Sequence, residues 1–520
     1  MSQRITKPRI VKIHPSDNAA VAVNDEGLAE GIVLEDGLRL LDFIPQGHKV
    51  AIRDLKKGEE VVRYGVVIGL AKADIAKGSW IRDDMLDVPP APELDALLPA
   101  KFKPYTAPEP LTGYTFEGYK NLDGSVGTLN LLAIGTSINC VEGVVEVATR
   151  RIEKELLPKY PNVDGVVPIQ HTYGCGQSWD AKYSGIPDRT LRNFIQNPNF
   201  GGVPMMVSLG CEKYRPEAML PPGAVPVEVK GQYMVTLQDE SCTSFDSMVR
   251  QIMDVADKRL QFLNARQRET CPASGLVVGM QCGGSDSFSG MSANPVLGYA
   301  ADLIVRAGGT VMFSELPEVR DRVDLLVERA ASQEVAKALV EEMRWYDSYL
   351  SFYGLDRSTN TSPGNKKGGI ANIAEKSMGN VVKSGTTPLV GVLSPGEKLP
   401  KNHTPGLYFC STPGSDFYCG TIQVAAGMNM HVFSTGRGTP YGLAEVPVVK
   451  VATRSALARQ WSDLIDVDAG RIFDGIATIE EMAWDMFHFI LDVASGRKKT
   501  FAQQHGIHNR IALFYPGPLV

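Results

Sequence analysis

The sequence predicts an α/β protein preceded by an all-β module, and three observations predict it. Residues 1 to 88 read as short strands, such as Ala20 to Val23 and Val61 to Leu70, divided by turn signals and without a long helix. Pro89 to Pro110 then carries seven prolines and little periodicity, as a stiff, extended linker does. From Gly113 onward, strand-like apolar runs alternate with amphipathic helices, the pattern of an α/β architecture.

Each element has a local reason. In the first module (1–88), Asp54-Leu-Lys-Lys-Gly58 recurs loosely as Asp74-Ile-Ala-Lys-Gly78, two turns of similar make. The linker spans 89–112. A first α/β unit, 113–270, is a candidate dimerisation lobe; in it Phe245, Met248, Ile252, Val255 and Leu260 recur at helical spacing. The second, 271–520, is the candidate catalytic domain, where Thr478 and Glu481 form a capping box and Gly496 stops the helix that follows.

Bulk properties narrow the function. A chain of 520 residues suits two or three units, each with its own core. With 43% hydrophobic and 22% charged residues and a net charge of -6, it reads as soluble and globular, with no basic excess for nucleic acid. No apolar run approaches the roughly 18 to 20 residues that span a bilayer, and Met1 to Pro15 lacks the apolar core of a signal peptide, so a cytoplasmic protein without a membrane partner is expected. Eight cysteines are too sparse for a disulfide scaffold. A homodimer is the expected assembly, because closed two-fold oligomers are commonest.

Four apolar runs each stop at a cysteine: Leu131 to Cys140, Val166 to Cys175, Met205 to Cys211 and Leu276 to Cys282. Ligands of open α/β sheets bind beyond the carboxyl ends of strands, so these thiols are expected to converge on one crevice, where they would suit iron or an iron–sulfur cluster. Inert buried cysteines are the other reading. His171-Thr-Tyr-Gly-Cys175-Gly-Gln177 packs an imidazole, a phenol, a thiol and an amide into one loop, and Cys282-Gly-Gly-Ser285-Asp286-Ser-Phe-Ser-Gly290 combines backbone freedom with hydroxyls and a carboxylate suited to a polyhydroxylated ligand or a metal. Ser362-Pro-Gly-Asn365-Lys366-Lys-Gly-Gly369 and Ser434-Thr-Gly-Arg437-Gly-Thr439-Pro-Tyr-Gly442 look like anion cradles, and two cradles would suit two carboxylates. The second is no dinucleotide fingerprint, since its glycine spacing differs and Pro440 stands where a helix should open. Glu315 and Glu318 follow the apolar run Thr310 to Phe313 and are acid–base candidates; His14 and His48 are either ligands or surface histidines.

These segments, with Gln46 to Lys49, Tyr64 to Gly69, Gly210 to Glu212 and Asn294-Pro295, resemble the galactarate and altronate dehydratase family along the whole chain. The galactarate branch is favoured by Tyr114 to Tyr119, Arg268 to Ser274 and Phe487 to Thr500, whereas Gln177 looks like the altronate branch, so altronate and glucarate stay as alternative substrates. The resemblance implies an N-terminal β-clip module of the SAF type, a Rossmann-like catalytic region, a Fe²⁺ requirement and dehydration of galactarate to 5-dehydro-4-deoxy-D-glucarate. A sugar-acid binding protein without catalysis is the remote alternative. For the reaction, Lys366 and Arg437 would anchor carboxylates, with Gln177, Ser285, Asp286, Asn365 and Thr439 also on substrate, and His171 and Glu315 are the acid–base candidates. Two ligand sets compete for the metal: Cys175, Cys211 and Cys282 with Cys140 nearby, or oxygen and imidazole ligands including His14 or His48.

Overall fold

The computed structural model describes residues 7–98, 102–178, 181, 183–220 and 233–515. The N-terminal module holds two antiparallel sheets. One has the order β1-β2-β3-β6 (Ile10–Val11, Ala19–Ala22, Lys49–Ala51, Trp80–Ile81); the other has the order β4-β5-β7 (Glu60–Arg63, Val66–Ala71, Leu86–Asp87). The two similar turns seen in the sequence meet each other, Leu55 and Ile75 exchanging backbone hydrogen bonds of 2.9 and 2.8 Å. Val61 to Leu70 is not the single strand its composition suggests. Tyr64 and Gly65 both take left-handed backbone, with φ of 60° and 73°, and fold the run into the β4–β5 hairpin.

Past the linker, β8 (Thr115–Lys120), β9 (Val126–Gly127) and β14 (Glu269–Pro272) form a small antiparallel sheet. Between them in sequence lies a parallel sheet of order β11-β10-β12-β13 (Gly165–Ile169, Leu131–Thr136, Met205–Ser208, Met234–Thr236). The helix Phe245–Asn264 covers one of its faces, with Val249, Ile252 and Leu260 buried against Leu132 and Ile134.

The remaining strands form a seven-stranded parallel sheet of order β17-β18-β16-β15-β19-β20-β21. They span Leu389–Leu393, Leu407–Cys410, Thr310–Phe313, Val277–Gly283, Met430–Thr435, Val448–Ala452 and Val467–Asp468. Successive side chains enter different cores. Val311, Phe313, Leu407 and Phe409 pack with the helices Ala293–Arg306 and Ile479–Ala494, while Met312, Tyr408 and Cys410 pack with Asp416–Ala426. Helices thus cover both faces, as a buried parallel sheet requires. Strand order reverses at β15, since β16 follows on one side and β19 returns on the other. That reversal opens a crevice beyond the carboxyl ends of the two neighbours.

Candidate active site

Register brings two of the glycine-rich loops together. Gln281, Cys282 and Gly283 of β15 stand opposite Phe433, Ser434 and Thr435 of β19, so the two glycine-rich loops that follow leave the sheet side by side. The third joins them. Asn365 Nδ2 donates to the Ser285 carbonyl oxygen at 2.8 Å, Ser287 N–H to that of Gly368 at 2.9 Å, and Arg437 N–H to that of Gly284 at 2.9 Å. Asp286 fastens its loop from within: Oδ1 accepts the N–H groups of Phe288 and Ser289 at 3.0 Å each, and Oδ2 accepts the Thr453 hydroxyl at 3.2 Å. Arg454 lies 3.2 Å from Oδ2 and donates to Gln46 Oε1 of the N-terminal module at 2.6 Å. A side chain so engaged shapes the loop.

The crevice itself holds about 290 Å³ of open space, its mouth included, narrowing inside to about the room of one water molecule. Its walls are Ser285 to Ser287, Ser289, Gly290, Glu318, Glu375, Lys376 and Asn380, with Arg63 and Tyr64 closing it from the N-terminal module. Lys376 comes from the helix Ile373–Val382, whose N-cap Asn372 accepts the Glu375 N–H. The preceding residue on that helix ties the module down. Glu375 meets Lys49 Nζ at 3.0 Å and also the Arg63 guanidinium, with all three side chains at most 2% exposed. Burial alone would raise the Glu375 carboxyl, but the two cations hold it below its ordinary range. Three buried polar atoms in these walls have no hydrogen-bond partner: Arg63 Nε, Ser287 Oγ and Asn380 Oδ1. Buried polar groups are normally satisfied, so their arrangement fits a polar ligand.

Behind the wall is a carboxyl cluster. Glu315 has a left-handed φ of 81° and lies 3.3 Å from Lys383 Nζ; burial, reinforced by Glu318, pushes its carboxyl well above the ordinary range. Burial pushes Asp416 up to about 6, and its Oδ1 accepts a bond of 2.7 Å from Gln281 Nε2. Glu315 sits at the same sheet edge as the crevice but does not line it.

Several expected site residues are placed elsewhere. His171 lies two residues past β11 of the four-stranded sheet, whereas Glu315 follows β16 of the seven-stranded one. His171 Nδ1 accepts the Tyr173 N–H at 3.2 Å, which leaves Nε2 to donate to the Thr136 carbonyl at 3.0 Å, and burial pulls its pKa down to about 4. Gln177, in the loop after β11, is fully buried, its side-chain amide without a partner among the described residues. Lys366 is about half exposed and pairs with Asp83 at 2.9 Å, while Asn365 is spent on Ser285 and on a capping box with Ser362. Arg437 is exposed beside the Gly364 turn, and Thr439 Oγ1 would stand 3.0 Å from a methyl on Gly284. The cysteines divide between sheets. Cys140, Cys175 and Cys211 are exposed beyond β10, β11 and β12, whereas Cys282 is buried in β15 with its thiol 3.0 Å from Ser285 Oγ. His14 is exposed, with Nδ1 2.7 Å from Ser16 Oγ; His48 lies between Trp80 Nε1 at 3.2 Å and the Lys367 carbonyl at 3.3 Å. Among the described residues no three His, Cys, Asp or Glu side chains are gathered to hold a metal ion, and no helix is long and apolar enough to cross a membrane.

Comparison with known proteins covers most of the chain. Residues 8–89 match the altronate/galactarate dehydratase SAF domain, 118–264 the D-galactarate dehydratase/altronate hydrolase second domain, and 273–519 the D-galactarate/altronate dehydratase C-terminal domain. The galactarate dehydratase (L-threo-forming) of Escherichia coli is 56% identical over 513 residues, 98% of this chain and 97% of that protein. Altronate dehydratases are more distant. That of Escherichia coli is 34% identical over 98% of this chain and 99% of its own, and that of Bacillus subtilis 33% over 94% and 95%.

Proposed function

This chain belongs to the galactarate/altronate dehydratase family, and on that basis we propose that it dehydrates galactarate to 5-dehydro-4-deoxy-D-glucarate in the crevice beside Asp286 to Gly290. The greater likeness to a galactarate enzyme than to altronate enzymes supports the substrate. The observation that carries the site is the buried Glu318–Lys376 pair in a wall that also holds unpartnered polar atoms, at the point where the strand order reverses. That strand order also favours the Rossmann-like reading of the C-terminal region.

Loss of water from an aldarate needs a base for the proton next to a carboxylate, positive charge for the enediolate, and a proton for the departing hydroxyl. Lys376 and Arg63 supply charge. A substrate carboxylate drawn to Lys376 competes with Glu318, which is then free to take the carbon-bound proton. Returning that proton to the leaving hydroxyl releases water and leaves the enol, which rearranges to the keto acid. Ser287 Oγ and Asn380 Oδ1 face the polyol chain. Lys366 and Arg437, exposed on the other two glycine-rich loops, would attract the diacid before it enters.

The Fe²⁺ requirement is proposed separately. The described side chains do not gather a site that fits an ion, so no step runs through one. Removing metal with a chelator should abolish turnover, and Fe²⁺ but not Mg²⁺ should restore it.

Anaerobic turnover of galactarate, glucarate and altronate, read as the keto-deoxy product, tests the substrate. Selective conversion of galactarate is expected; preference for either other acid overturns the assignment.

A further inference from the structure

The β4–β5 hairpin turns on Tyr64 and Gly65, both with positive φ. Such two-residue turns favour Asn-Gly or Gly-Gly, because a Cβ crowds the left-handed backbone. A tyrosine in the first position works against the turn. Its ring nevertheless points off the module and into the crevice, where it lines the wall with Asp286, Glu318, Lys376 and Asn380. The hydroxyl makes only a long contact of 3.4 Å with the Ser287 carbonyl oxygen. Arg63 lies 4.3 Å from the ring centre, and Arg63 is itself bound to Glu375, so the tip is held in place.

Resting on the reading of this crevice as the dehydration site, we propose that Tyr64 is a substrate-contacting residue that the N-terminal module supplies to the reaction, its phenol donating a hydrogen bond to an oxygen of the sugar diacid. Three observations converge on it. The disfavoured backbone is kept for a side chain whose hydroxyl is almost unused. Ser287 Oγ and Asn380 Oδ1, in the same walls, lack partners and match further substrate oxygens. The interior has room for about one water molecule, so a substrate oxygen that enters it lies within reach of the Tyr64 hydroxyl. Burial raises the phenol pKa, which disfavours the phenolate and leaves Tyr64 a donor that keeps its proton. It does not replace Glu318 in the proton transfers.

The test compares the full-length parent with Y64F and Y64A, in turnover of galactarate and in calorimetric titration with it. Y64F keeps the ring and loses the donor. Its kcat should fall on the order of 10²-fold, as when an oxyanion donor is removed, with KM changed less than about threefold and thermal unfolding unchanged. Y64A, lacking the ring too, should also lose affinity. Parental kcat and affinity in Y64F overturn the proposal while leaving the site assignment standing. If the parent neither binds nor converts galactarate, the assignment fails and Tyr64 falls with it.

Discussion

Lys376 Nζ lies 2.6 Å from Glu318 Oε1, and both side chains are less than a tenth exposed. A buried pair of this kind is held by mutual compensation: removing one partner strands the other and costs about 3–5 kcal/mol. That the pair lines the crevice rather than filling the core makes it an exchangeable contact. A substrate carboxylate can replace Glu318 on Lys376, which keeps the lysine paired and leaves Glu318 as the base.

E318Q is therefore expected to lose at least about 10²-fold in kcat while still binding galactarate, since general acid–base groups contribute roughly 10²–10⁴. K376M should instead lose affinity, having no cation for the carboxylate. Steady-state kinetics with parallel thermal unfolding separate the two, and parental turnover in E318Q would remove Glu318 from the mechanism.

Gly290 admits no side chain. A methyl there would stand 2.6 Å from the Tyr64 hydroxyl and 2.9 Å from Gly379 Cα. G290A should push the hairpin tip out of the crevice, costing about 1–3 kcal/mol by overpacking and most of the activity. Full activity in G290A would show that the crevice is not used.

Glu375 receives Lys49, Arg63 and the Ala371 N–H at 2.7 Å, so E375A leaves two buried cations unpaired. Stability should fall by about 3–5 kcal/mol in denaturant titration. Loosening of the module should show as faster proteolytic cutting within residues 102–112. A parental cutting rate would mean that other contacts hold the module.

Glu445 is buried with Oε2 unpartnered, and burial lifts its pKa from 4.5 to about 7. Between those values the folded chain keeps a proton that the unfolded chain has released, so rising pH erodes stability, by about 3 kcal/mol once pH exceeds 7. E445Q cannot titrate. Its stability relative to the parent should climb across this window in denaturant titrations, and a constant difference from pH 4.5 to 8 would contradict the burial effect.

What the sequence made legible follows from which interactions are local. Thr478 caps Ile479–Ala494 through the Glu481 box and Gly496 follows with φ 70°, because capping is written within a few residues. The three glycine-rich loops were visible for the same reason, and the sheet brings them together. Strand-end position, however, does not say which sheet a strand joins, so the cysteines read as one group although β15 lies apart from β10, β11 and β12. Lys376 and Glu375 were missed because charges on a short helix read as a solvated face. Arg63 and Tyr64 were missed because a turn with tyrosine in a glycine-favouring place reads as continuous strand.

The bond between Arg63 and Glu375 spans 312 positions of the chain. On the proposed reading of the crevice, recognition is written jointly in the first module and the last, and neither half carries a complete set of contacts. Exchanging C-terminal regions between relatives of different substrate preference should therefore transfer selectivity only when the matching hairpin travels with them; a change on one side alone meets an unaltered wall on the other.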